Sequence, residues 1–310
     1  MVILLVILLS LFLLVKSADM FVGQASSLAK KLKVDNFLIG FTVVAFGTSL
    51  PELISTLFSS ISGHNQLVMS NIIGSNIANL CLVFGVVALF NNYRIKKRDV
   101  DINIPLNITA LMAFWALSVF MGFTLNWASG ISLILLFLVL ILLSKDYNHF
   151  ESVKKEYVIF NPLYLIISLA LLVLSGKVCI DQIINLANQL KISETILGYF
   201  LLAIGTSLPE LVTTWVAVKK NNGELGMGNI LGSNLFNLLF ILGISTFIRP
   251  IQLNGFVYDL IFLTGVTLMT YVFAITGKKY SFSKKEGIGL LMVYILFAVF
   301  QISKSFLKLY

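Results

Sequence analysis

Six residues occur twice in this 310-residue chain, as Gly47-Thr48-Ser49-Leu50-Pro51-Glu52 and as Gly205-Thr206-Ser207-Leu208-Pro209-Glu210. Each copy sets a carboxylate, two hydroxyls and a proline inside an apolar run long enough to span a bilayer. An ionisable group at that depth is expensive and marks a functional site. Proline in a helix interior removes a backbone hydrogen bond and clashes with the carbonyl four residues back, which is expected to free the carbonyls of Gly47 and Gly205. Freed groups are tolerated in a membrane only where they face protein or a hydrated cavity. Thr48 and Glu52 stand four apart and share a helix face, with Ser49 beside them, and Thr206, Glu210 and Ser207 repeat the arrangement. A second duplicated motif, Gly-Ser-Asn-x-x-Asn, puts Ser75 four residues from Asn79 and Ser233 four from Asn237.

The donors are carboxylates, hydroxyls, amide oxygens and backbone carbonyls, a set that hard cations prefer; Ca²⁺ takes roughly 6–8 oxygens. Two ionised glutamates balance one Ca²⁺ or two Na⁺, which is what a site exchanging them requires. No Cys or His pair stands at ligand spacing, which argues against zinc and copper. Cys81 and Cys179 lie in apolar segments and imply no disulfide framework. No HExxH or GxSxG motif points to an enzyme, and no cofactor is called for. Gly, Ser, Thr and Asn also promote helix packing in membranes, but that role alone leaves the duplicated Pro-Glu segment unaccounted for.

The elements that hold these groups follow from composition. The chain is 58% hydrophobic and 12% charged, with mean hydropathy +0.96, a polytopic membrane protein by composition. Its net charge of +8 comes from short basic clusters between apolar runs, as expected of loops on one membrane face, and does not call for nucleic acid. Runs of spanning length fall at about 2–21, 37–61, 67–90, 103–123, 127–144, 161–180, 195–218, 226–248, 255–276 and 287–307. Sixteen Lys and Arg lie in one set of alternate loops and four on the other side. This predicts a cell-membrane protein with both termini outside. The run from Met1 to Val15 lacks a basic n-region and a cleavage site, so it reads as the first span and not as a signal peptide.

Shifting the chain by 158 residues aligns 29–85 with 187–243 without a gap, and 23 of 57 positions are identical. Residues 1–145 form one five-helix repeat, 146–160 a cytoplasmic linker, and 161–310 the second repeat. Five is odd, so the second repeat enters the membrane with opposite polarity, a plan found in secondary transporters. The expected fold is therefore all-α, with ten transmembrane helices in two inverted repeats. The second and seventh spans, broken at their prolines, bring Glu52 and Glu210 together at a central ion site.

At these residues the chain resembles the calcium/cation antiporter superfamily, in particular the prokaryotic sodium/calcium exchangers. Residues 45–79 and 203–237 resemble its two α-repeats, and the ten-helix plan extends the match over nearly the whole chain. The resemblance implies that Glu52 and Glu210 are acidic ligands shared by Ca²⁺ and Na⁺. It implies that Thr48, Ser49, Thr206 and Ser207 offer hydroxyl or carbonyl oxygens, that Ala45 and Ala203 offer backbone carbonyls, and that Ser75, Ser233, Asn79 and Asn237 complete the set. It further implies that the first and sixth helices are long, tilted and slide against the other eight. Asn237 stands where many exchangers carry Asp, which leaves two carboxylates, not three. The expected function is exchange of Ca²⁺ for Na⁺ by alternating access, within the lipid bilayer and with no oligomer required. A Ca²⁺/H⁺ antiporter and a cation channel are the alternatives.

Overall fold

The computed structural model describes residues 2–90, 93–144, 160–189, 203–276 and 280–306. Residues 146–159 of the expected linker and 195–202 of the seventh apolar run lie outside the described residues. In chain order the helices are α1 (Val2–Leu32), α2 (Asn36–Thr48), α3 (Leu50–Ile61), α4 (Asn65–Phe90), α5 (Asp99–Phe120) and α6 (Trp127–Ser144). They are followed by α7 (Pro162–Gln189), α8 (Ala203–Thr206), α9 (Leu208–Lys219), α10 (Gly223–Ile248), α11 (Val257–Thr276) and α12 (Lys284–Phe306). Among the described residues, eight helices are long and apolar enough to cross a membrane, and the pair α2 and α3, bent by 49°, makes a ninth span if taken together.

The helix ends depart from the apolar runs in an instructive way. Helix α1 continues past its apolar stretch to Leu32 and carries Lys30 and Lys31 in its last turn, where cations suit the helix dipole. At 31 and 28 residues, α1 and α7 are the two longest described helices, and they pack along each other. Asp19 pairs with Lys220 across the α1–α9 contact at 2.9 Å, and Lys16 lies over the Phe12 ring.

Burial separates a centre from a periphery. In the most apolar stretch of α4 and of α10, 83% of residues are buried, against 22–39% in the other six single-helix spans. Lipid-facing surfaces stay apolar, and polar side chains gather where helices enclose them. Helix α2 lies directly on α10, where the chain has Gly228 and Gly232. A Cβ at Gly232 would sit 2.3 Å from the carbonyl oxygen of Phe41, and one at Gly228 2.2 Å from that of Phe37. The small-xxx-small spacing lets the two backbones touch.

The 158-residue shift also relates structural details. Helices α4 and α10 each contain a π-helical turn, at Ala78–Val83 and Phe236–Ile241. Two short antiparallel ribbons join the ends of the bundle: β1 (Tyr93–Arg94) with β4 (Ser281–Phe282), and β2 (Thr124–Leu125) with β3 (Ile251–Gln252). Adding 158 to β1 gives β3, so each ribbon ties a strand of one half to a strand of the other.

Candidate functional site

The site is built on two identical breaks. Ser49 (φ −86°, ψ 12°) separates α2 from α3, and Ser207 (φ −87°, ψ 4°) separates α8 from α9. Both sit near the sparsely allowed bridge region. Pro51 and Pro209 fall in the first turn of α3 and α9, where a missing N–H costs nothing because that donor has no helical partner. The proline thus starts a second helix where disruption of a continuous one was expected. Ser49 N donates to the Ala45 carbonyl at 3.0 Å, and Thr48 Oγ1 lies 3.4 Å from the same oxygen. Ala203 begins α8 at the corresponding place.

Starting α3 and α9 at the break puts Glu52 and Glu210 in their first turns. The positive end of each helix dipole therefore faces its carboxylate. Helix α3 packs on α4 and α9 on α10, while α2 crosses α10 and α8 crosses α4. Each carboxylate is therefore met by groups from both halves. Ser49 Oγ donates to Glu210 Oε1 at 2.9 Å, and Thr48 and Ser233 flank the same carboxylate. Ser75 and Thr206 flank Glu52, which is close enough to Glu210 for the two charges to interact.

Glu52, Glu210, Thr48, Ser49, Ser75, Asn79, Ser207, Ser233 and Asn237 are each at most 1% exposed. Thr206 is half-buried. Among the described residues, neither glutamate joins an ion pair. Hydrogen-bond partners are also lacking there for both carboxylate oxygens of Glu52, Oε2 of Glu210 and the hydroxyls of Ser75, Ser207 and Ser233. The same holds for the side-chain amides of Asn79 and Asn237. A buried polar atom left unpaired costs about 1–3 kcal/mol, and here many of them, mostly oxygens, gather around two carboxylates. Such a set suits a cation carried as substrate. Among the described residues, no three His, Cys, Asp or Glu gather where they could hold a metal ion.

Sequence reasoning missed Asn71 and Asn229. Asn71 Nδ2 donates to Ser55 Oγ and Thr56 Oγ1, both at 2.8 Å, and to the Glu52 carbonyl at 3.4 Å. Asn229 Nδ2 donates to Thr214 Oγ1 at 3.0 Å and to the Glu210 carbonyl at 3.3 Å. Both amides brace the helix turn that carries a glutamate. The signal was present, because Asn71 with Thr56 and Asn229 with Thr214 are identical pairs in the repeat.

Comparisons with known proteins point to one family. The family described as sodium/calcium exchanger protein matches residues 2–145 and 160–303. The inner membrane protein YrbG of Escherichia coli (strain K12) is 32% identical, over 91% of this chain and 90% of its own. The sodium/calcium exchanger MaX1 of Methanosarcina acetivorans is 30% identical, over 95% of this chain and 97% of its own. A structure of the sodium-calcium exchanger NCX_Mj, soaked with 2.5 mM Na⁺ and 0.1 mM Ca²⁺, superposes with a TM-score of 0.81 at 28% identity, covering 96% of this chain and 97% of that one.

Proposed function

The chain belongs to the sodium/calcium exchanger protein family, multi-pass membrane proteins that exchange cations and are not enzymes, and on that premise we propose that it exchanges Ca²⁺ for Na⁺ by alternating access. The observation that carries the reading is the pair of buried glutamates, Glu52 and Glu210, set among hydroxyl and amide oxygens without protein partners. A divalent cation neutralises both carboxylates and gives those oxygens a partner; two Na⁺ do the same in charge. The ligand set we assign is Glu52, Glu210, Ser49, Ser75, Asn79, Ser207, Ser233 and Asn237 by side chain. Thr48 and Thr206 contribute by hydroxyl or carbonyl, and Ala45 and Ala203 by carbonyl.

The architecture we assign is two inverted five-helix repeats, residues 1–145 and 161–310, joined by a cytoplasmic linker at 146–160, with both termini outside. Ten spans result when α2 with α3, and α8 with α9, are each counted as one broken helix. The matching breaks at Ser49 and Ser207, the matching π-helical turns and the correspondence of β1 with β3 under one shift support that reading. An inverted repeat has two equivalent arrangements that open to opposite faces, so a single site can serve both.

The test is flux in liposomes. An outward Na⁺ gradient should drive ⁴⁵Ca²⁺ uptake by the reconstituted protein. Uptake driven only by a pH gradient would replace Na⁺ by H⁺ as the coupling ion. Ca²⁺ current persisting without any counter-ion would replace exchange by a channel.

A further inference from the structure

Asn71 and Asn229 are equivalent under the 158-residue shift, yet they are not equivalently bonded. Both use Nδ2 to brace the turn that holds a glutamate, in one case Glu52 and in the other Glu210. Their carbonyl oxygens differ. Asn229 Oδ1 accepts from Thr48 Oγ1 at 3.0 Å, across the boundary between the halves. Asn71 Oδ1 is buried and has no hydrogen-bond partner among the described residues. Under the same shift the counterpart of Thr48 is Thr206, which lies beside Glu52 on the side where α8 crosses α4.

We propose that Asn71 and Asn229 are alternating positioning residues of the exchange site: Thr48 bonds to Asn229 in the conformation seen here, and Thr206 bonds to Asn71 in the oppositely facing one. The inference rests on the inverted-repeat reading above, since exchanging the roles of the two halves exchanges the two bonds. A single structure then shows one bond made and its twin unmade. The amide nitrogens stay engaged in both states and hold the glutamates, while the oxygens select the state. Each Asn therefore joins the position of the opposite half's broken helix to the backbone of a liganding carboxylate.

The experiment uses the full-length protein in liposomes, with Ca²⁺ varied on one face at a time to give an apparent KM for each face and their ratio. Asn229→Ala and Asn71→Ala each lose one brace and one state-selecting oxygen. Losing the oxygen of a neutral buried bond shifts the equilibrium about fivefold, so the two variants should move the KM ratio about fivefold in opposite directions. A purely structural role lowers both rates alike; an unchanged ratio, or one moved in the same direction by both variants, overturns the proposal. A second readout does not depend on transport. In Ca²⁺-free detergent, amide hydrogen exchange of residues 45–52 should quicken in Asn229→Ala and slow in Asn71→Ala. Thr48→Val, which removes only the donor, should match Asn229→Ala there, and equal exchange in all three also overturns the proposal. Wild-type protein that fails to take up Ca²⁺ against Na⁺ counts against the exchanger assignment, and the hydrogen-exchange result still decides the Asn pair.

Discussion

The hydroxyl of Ser49 donates to Oε1 of Glu210 at 2.9 Å, so the break in one half holds the carboxylate of the other. The reverse bond is not made, because Ser207 Oγ has no hydrogen-bond partner among the described residues. The two serines are identical in local sequence context and nearly so in backbone angles. What differs is the bonding of their hydroxyls. The site is therefore symmetric in composition and asymmetric in bonding.

That asymmetry makes Ser49→Ala and Ser207→Ala unequal. Ser49→Ala removes a hydrogen bond to a buried carboxylate, about 1.5–3 kcal/mol, and should lower the unfolding midpoint of the ion-free protein. Ser207→Ala removes an unpaired hydroxyl and should leave that midpoint unchanged or raise it. Both should weaken Ca²⁺ binding, since each deletes an assigned ligand. Thermal unfolding in Na⁺- and Ca²⁺-free detergent, repeated with saturating Ca²⁺, separates the two effects; equal midpoints without ions would show that the Ser49 bond contributes nothing.

Glu52→Gln and Glu210→Gln should each abolish Na⁺-driven Ca²⁺ uptake while the protein still folds. Removing one of two liganding charges costs about 2–5 kcal/mol of binding. Without ions, each variant should be at least as stable as wild type, because a buried carboxylate with no counter-charge is replaced by a neutral amide. Ca²⁺ at a hundredfold excess over its Kd stabilises a binding protein by about 2.7 kcal/mol, and that gain should vanish in both variants. Near-normal uptake by either one refutes the assignment of that glutamate.

Packing yields a prediction independent of transport. Gly232→Ala should destabilise by about 1–3 kcal/mol, because the new Cβ meets backbone atoms of Phe41 that no side-chain rotation can clear. Gly255→Ala, with open space around its Cβ, should be close to neutral. Midpoints of thermal unfolding for the two variants check the contrast.

Much of this was legible in the chain itself because the information is local or duplicated. Proline and glutamate inside an apolar run marked the breaks, and the repeat paired Glu52 with Glu210 before any coordinates. Four things were not legible. The length of α1 was hidden because residues 22–32 are polar enough to look like a loop, yet they continue a helix packed on α7 and α9. The Asp19–Lys220 pair spans 201 residues, and no spacing rule reaches that far. The two-residue ribbons are too short to leave an alternating pattern, and only the closeness of the helix ends creates them. Asn71 and Asn229 were passed over, although the repeat pairs them, because the bond from Thr48 to Asn229 exists only once α2 lies on α10.

Asn237→Asp tests how far two glutamates suffice. Asn237 is fully buried, and neither of its side-chain atoms has a hydrogen-bond partner among the described residues. If its oxygen faces the ion, a third carboxylate adds attraction that grows with ion charge, so Ca²⁺ gains more than Na⁺. Apparent Ca²⁺ affinity should rise by about tenfold, with Na⁺ competing less well. In the ion-free state the same substitution adds a third buried charge near Glu52 and Glu210, so the protein should be less stable than wild type. Uptake should then become more sensitive to acid, because protonating the added carboxylate returns the site to its two-glutamate form. Calcium titrations and unfolding midpoints across pH check all three consequences. Unchanged Ca²⁺ affinity with lowered stability would place residue 237 beside the site but not in contact with the ion.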